Sequence, residues 1–384
     1  MKRILAVVWI LILCAGLLMY SLTDPNGMDI QPPSATPDMP VATPDVPQKS
    51  MQERLRLFFY NDHPVLQLIY EQLAEEFFNQ TGIRVVTVSS EANLEGQQPV
   101  LFSVSDPGEL SRWRCLDLSD TVAYGNLACD CFTLTQGERV VAIASEAEPL
   151  GIIFNTALLA RVGYTAGDLD SFGDIKTVVS YITANQDKLG FGAFAQPDSA
   201  GRYAAVLSAV PGDVRSVWDL YISNMADGDI LSGKAVFTLG TLSDMNWYSA
   251  GGELQLEMLP LYTGAAEEQT QGLHCFGKHY WCIRAEAEQE QIDGALAFLN
   301  FLVSPRTDGS VPVDDLALLA PYRQATYARN SVEQRFRSDI AQGKNCTVYG
   351  AYEPASEDFI TALNTYTDSP TDENWAEVQK LRKK

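Results

Sequence analysis

The sequence predicts an α/β protein of two lobes, preceded by an N-terminal membrane helix and a disordered linker. Three observations predict it. Over residues 66–88 the hydrophobic period switches from helical to strand-like, the signature of a βαβ unit. The 384 residues exceed one ordinary core. The first 50 residues offer one apolar run and then a Pro-rich tract, neither of which builds a core.

At the N-terminus, Lys2 and Arg3 precede an uncharged run over residues 4–20, near the lower length limit for a spanning helix. Positive charge before it and Asp24 after it place the rest of the chain on the outer face. Leu17-Leu18-Met19-Tyr20 offers no small residues for a signal-peptidase cut, so residues 1–22 read as a retained anchor. Lipidation at Cys14 stays open as the alternative, although Ile12-Leu13 before it is atypical. Residues 23–50, with ATPDMPVATPDVP, read as an extended tether.

The βαβ unit begins with a strand over 55–60, closed by the turn Asn61-Asp62-His63-Pro64. Leu66, Ile69, Leu73 and Phe77 form a helical stripe, Thr81-Gly82 stops it, and Ile83, Val85, Val86 and Val88 form the next strand. Such units pack into parallel sheets whose ligands sit outside the strands' carboxyl ends, which points to Asn61 and Asp62. A strand over 99–104 ends similarly at Ser105-Asp106-Pro107-Gly108, which points to Asp106. Residues 138–145 and 151–155 read as two strands separated by Glu146-Ala147-Glu148-Pro149, with a helix over 156–162. Trp218 falls in an amphipathic helix and reads as core. Residues 234–240 read as a strand, 241–247 as a loop, and 291–301 as an apolar-striped helix.

Several of these stretches carry a resemblance. FxxxTGIxV over Phe77 to Val85, GIIFN followed by a helix and Gly163-Tyr164, KAVFTLG followed by Trp247, Met258-Leu259-Pro260-Leu261, and His279-Tyr280-Trp281-Cys282-Ile283 occur in order. Together they resemble the bacterial extracellular solute-binding proteins, maltose-binding-protein-like carbohydrate receptors of ABC importers. Matching positions run from about Leu55 to Leu381. The resemblance implies a type II periplasmic-binding-protein fold, with residues 51–147 plus 259–303 as lobe 1 and 148–258 plus 304–384 as lobe 2. Glu146-Ala147-Glu148-Pro149 would be the first crossing between lobes and 256–261 the second. It also implies a monomer on the extracellular face of the membrane that captures an oligosaccharide and delivers it to permease subunits. The stretch between Phe194 and Val217 is shorter than such receptors usually have.

The chemistry agrees with capture rather than catalysis. The three His (His63, His274, His279) form no H-E-x-x-H, and neither G-x-S-x-G nor a phosphate-binding Gly-rich loop occurs. No catalytic residue, metal or cofactor is expected. Cys129-Asp130-Cys131 has no second ligand pair nearby, so disulfide bonding or burial is the expected fate of the exported cysteines, with connectivity open. A net charge of -22 argues against nucleic acid as a partner. Sugars present apolar CH faces and a rim of hydroxyls, which aromatic and planar polar side chains recognise. The candidates at predicted cleft positions are Asn61, Asp62, Asp106, Glu148, Asp198, Arg202, Trp247, Lys278, Tyr280 and Trp281. Asp62 and Trp247 lead, because each follows a strand end. Two alternatives remain: a membrane-anchored glycoside hydrolase, drawing on the abundant carboxylates, and a degenerate receptor acting as a sensor or accessory partner, drawing on the short stretch after Phe194.

Overall fold

The structure is a computed structural model that describes residues 52–90, 98–195, 207–208, 214–252, 254–261, 273–342, 346–351 and 355–382. The expected anchor and linker, with Asp198 and Arg202, lie outside the described residues. Among the described residues no helix is long and apolar enough to cross a membrane.

The period switch produces the expected unit. β1 (Leu55–Tyr60) pairs in parallel with β2 (Ile83–Val88), in register from Leu55↔Ile83 to Tyr60↔Val88, and α1 (Gln67–Thr81) connects them. Gly82 ends the helix at φ 72°, a left-handed conformation that glycine adopts without a Cβ clash. The buried stripe of α1 runs through Tyr70, Leu73, Ala74, Phe77 and Phe78. It is rotated from the expected one, so Ile69 is only partly buried. β3 (Leu101–Val104) joins the other side of β1, also in parallel.

After α2 (Val122–Gly125) and β4 (Thr133–Gln136), the chain forms β5 (Arg139–Asn155), a single strand of 17 residues. Two strands with a hinge between them were expected here. The backbone instead runs unbroken through Glu146 and Pro149, because β9 (Leu273–Ile283) pairs with it antiparallel on both sides of that point. Next come α3 (Thr156–Arg161), α4 (Phe172–Leu189), β6 (Gly192–Phe194), α5 (Arg215–Ile222) and β7 (Ala235–Thr241). Residues 241–247, expected as loop, instead supply the cap and most of α6 (Leu242–Ser249). Its cause is local: Thr241 and Asp244 make a reciprocal capping box that satisfies the first free amides. β8 (Leu256–Pro260), α7 (Gln289–Val303), α8 (Ser331–Gln342), β10 (Cys346–Ala351), α9 (Glu357–Asp368) and α10 (Asp372–Leu381) complete the chain.

The strands form one mixed sheet with the path β2-β1-β3-β9-β5-β7-β6; β10 pairs with β9, and β4 and β8 pair with β5. Two hydrophobic cores flank it. The first gathers β1 to β3, α1, α7 and the half of β5 from Val140 to Ala147. The second gathers Leu150, Ile152 and Phe154 of β5 with α3 to α5, β6, β7, α9 and α10, and Trp218 is buried in it as expected. The packing crosses the expected partition in several places: Leu242, Met245 and Tyr248 of α6 and Met258 lie in the first core, Leu259, Leu261 and Phe276 lie in the second, and one longer segment crosses it as well. Val311, Val313, Leu316, Leu319, Tyr322, Val332 and Phe336 pack in the first core, whereas residues 304–384 were expected in lobe 2. Hydrogen bonds account for this. The Ala147 amide donates to the Leu319 carbonyl at 2.7 Å, and the Tyr322 hydroxyl donates to the Ala144 carbonyl at 2.9 Å.

Candidate functional site

Side chains alternate between faces along a strand, so Glu146 and Glu148 share one face of β5 at the point where it passes from the first core to the second. Lys278 lies opposite Glu146 in the register of β9 and reaches diagonally to Glu148, with Nζ 2.5 Å from Oε2. Ser243, in the first turn of α6, donates its amide to Glu148 Oε1 at 2.7 Å and its hydroxyl to Oε2 at 2.6 Å. A carboxylate at a helix N-terminus meets free amides and the positive end of the dipole. Burial alone would raise the Glu148 carboxyl, but the Lys278 charge and the Lys278 and Ser243 hydrogen bonds outweigh it, and the group is held below its ordinary value. Lys278 shows the reciprocal balance: burial lowers it, Glu148 and Glu146 raise it, and it ends above its ordinary value.

Glu146 differs. Its ion-pair contact is His279 Nε2 at 3.7 Å, beyond hydrogen-bonding distance. Burial, opposed by Lys278 and reinforced by Glu148, raises its carboxyl.

Behind His279 lies a second polar group. Its Nδ1 is 2.9 Å from the Ser105 hydroxyl and 3.4 Å from Asp62 Oδ1, and Asp62 accepts from the Ser103 hydroxyl at 2.8 Å. The His63 ring sits edge-on to His279 at 4.4 Å. Burial raises Asp62, but hydrogen bonds from His279 and the two serines prevail and hold it below its ordinary value. Burial, followed by the neighbouring His279, lowers His63. His279 has φ 49°, a left-handed backbone that is uncommon for a non-glycine residue inside a strand.

Glu146 and Glu148 open on a cavity of about 170 Å³, whose other walls are Leu242, Ser243 and Asn246 of α6, the 317–319 segment, Arg329 and Glu333. Glu333 is tied down by the Asn246 side-chain amide at 3.0 Å and the Arg329 backbone amide at 2.6 Å. The lining is polar and carries hydrogen-bond donors and acceptors; its apolar members Leu242, Leu318 and Leu319 pack with the first core, and its two β5 carboxylates stand where that strand leaves it. Among the described residues no group of three His, Cys, Asp or Glu could hold a metal ion. Cys129 and Cys131 are joined by a disulfide, and Cys115 and Cys282 are buried thiols.

The candidate residues separate clearly. Glu148 and Lys278 meet at the cavity edge, and Asp62 lies behind them, on the far side of the His279 ring from Glu146. Trp247 is 67 % exposed, next in sequence to Asn246 on α6. Asn61 is buried and spent on its own turn, donating to the His63 carbonyl and accepting the His63 amide. Asp106 caps the turn that follows it through the Gly108 amide. Tyr280 and Trp281 offer no face to a ligand. They point to opposite sides of β9, both covered, and Trp281 donates to the Tyr70 hydroxyl at 3.2 Å. The Tyr280 ring fits because residue 277 is glycine: a Cβ there would lie 2.2 Å from its hydroxyl. Sequence reasoning missed Glu146, which it read only as part of a crossing between lobes, together with His279, Ser243, Asn246, Arg329 and Glu333. A usable signal existed for Ser243, since the Thr241-x-x-Asp244 spacing marks a helix start whose amides face an acidic strand.

No protein-family model matches the sequence, and no curated protein matches it. Solved structures do match. The apo form of RafE from Streptococcus pneumoniae is similar at TM-score 0.63 and 13% identity, over 86% of this chain and 97% of that one. The bacterial solute receptor AcbH, described as having an exclusive preference for β-D-galactopyranose, is similar at TM-score 0.64 and 11% identity, over 85% and 97%. A family 1 extracellular solute-binding protein from Bifidobacterium longum subsp. infantis gives TM-score 0.62 and 15% identity, over 85% and 97%. The chain therefore has the mixed α/β fold of two-lobed solute-binding proteins, and at these identities the likeness is one of fold.

Proposed function

We propose that this chain is the extracellular solute-binding component of an ABC importer, which captures a small carbohydrate between two lobes and delivers it to a permease. The two lobes correspond to the two cores, and residues 1–50 tether them to the outer face of the membrane. One observation carries the reading: the polar cavity opens on Glu146 and Glu148 of β5, at the point where that strand passes from the first core to the second, so a ligand there sits beside the junction of the cores and can favour their closure. The fold likeness to RafE and AcbH supports it. The cavity lies below the roughly 300–1,000 Å³ of sites for drug-sized ligands, which favours a single ring or the end of a chain. No bond is made or broken in this role.

Titration calorimetry of the full chain in detergent, against neutral mono- and oligosaccharides, amino sugars and sugar acids, tests the proposal. Binding of at least one carbohydrate, with compaction in small-angle scattering, is expected. A folded protein silent across that panel overturns it. The small cavity also favours a second reading, a receptor fold kept for partner binding; co-purification with a sensor protein rather than with permease subunits would select it.

A further inference from the structure

Of the three carboxylates that line the cavity, two are supplied with donors. Glu148 receives the Lys278 ammonium and two groups of Ser243, and Glu333 receives the Asn246 and Arg329 amides. Glu146 receives no hydrogen bond among the described residues, and its side chain is only 14% exposed. A carboxylate is an acceptor with several lone pairs, and holding one ionised away from water without donors is unfavourable. The groups that face it are Lys278 and His279 from β9, Glu148 from β5, and Arg329 and Glu333 from the approach to α8 and its first turn, with Asp62 and His63 behind His279. Three carboxylates thus face two fixed cations, and Lys278 is already committed to Glu148. The missing partner is a hydrogen-bond donor with positive charge. A ligand with an acid group would add to the excess instead.

We propose that the cavity selects an amino sugar, a single ring whose protonated amine is held by the Glu146 carboxylate. This rests on the solute-binding reading and narrows it to a ligand class. The raised Glu146 carboxyl fits, because an arriving ammonium stabilises the ionised form that burial disfavours.

Calorimetry of the full chain with glucosamine, glucose and glucuronate, at a pH where the amine is protonated, tests the inference. Glucosamine is expected to bind roughly tenfold or more tightly than glucose, with glucuronate weakest. Glu146→Gln should bring the ratio of glucosamine to glucose affinity close to one. In wild type, glucosamine binding should release a proton as pH falls toward the raised Glu146 value, read from the dependence of the heat on buffer ionisation. The melting temperature of Glu146→Gln should equal or exceed that of wild type, since the substitution removes a charge that burial disfavours. Equal affinity for glucosamine and glucose, a preference that survives Glu146→Gln, or a clear fall in that melting temperature overturns the inference. Binding of neutral oligosaccharides without any preference for amines overturns it while leaving the solute-binding reading intact. Silence across the wider panel overturns both.

Discussion

Glu146 and Glu148 stand two residues apart on the same face of the same strand, and their surroundings treat them in opposite ways. Both are largely removed from water. Glu148 lies among an ammonium, a hydroxyl and a helix-terminal amide, whereas Glu146 has only an imidazole edge at 3.7 Å. The difference teaches that burial does not by itself make a carboxylate structural; the supply of donors decides. One side chain is built into the scaffold, and its neighbour is left available.

The largest expected effect comes from removing the cation. Lys278→Met leaves Glu148 buried with only Ser243 as donor, and should cost about 3 kcal/mol of stability in urea denaturation. A change below about 0.5 kcal/mol, the range of surface substitutions, would break the contrast. Ser243→Ala removes one hydrogen bond to a charged group while leaving the backbone amide in place, and about 1–2 kcal/mol is expected by the same measurement.

The smallest effect is the one that separates the two residues by sign. Glu148, held below its ordinary value of 4.5, contributes stability that is present above its unfolded pKa and lost as pH falls through its lower folded pKa. Glu146, held above 4.5, does the reverse: ionising it in the folded state costs stability, fully above its folded pKa and not at all below its unfolded one. Glu146→Gln should therefore melt higher than wild type near pH 8, and the gap should close as pH falls to about 4.5. A gap that persists at low pH would place its cause outside this ionisation.

The sequence made some of this legible. The βαβ unit could be read because the period changes at Gly82, and Gly82 is where the chain must take a left-handed turn. The long strand β5 could not, because Glu146, Glu148 and Pro149 look like a break when no partner strand is in view. Only pairing with β9, distant in sequence, shows that they lie within a ladder. Trp247 and Trp281 make the same point. Both follow apolar runs, but one ends on the exposed face of a helix and the other in a strand buried on both faces. Alternation tells which face a residue takes, and says nothing about whether that face is covered. Glu148, Lys278 and Asp62 were identifiable as polar residues near a cleft, while Ser243, Asn246 and Arg329 reach the cavity through a helix and a segment whose placement depends on tertiary packing.

β5 and β9 also have a mechanical consequence. The same two strands carry hydrogen bonds beside both cores, so relative motion of the cores cannot turn on a single free bond and must be taken up as twist along a ladder. The pairing runs from Ile143↔Trp281 to Leu150↔His274 in constant register but skips Ser145 and His279, where the backbone is left-handed and the Ser145 hydroxyl bonds the His279 carbonyl instead. In this leaf spring the thinnest point is His279, whose ring stands between Asp62 and Glu146. Flexing of the spring is thereby coupled to the spacing of the polar groups that a ligand would meet.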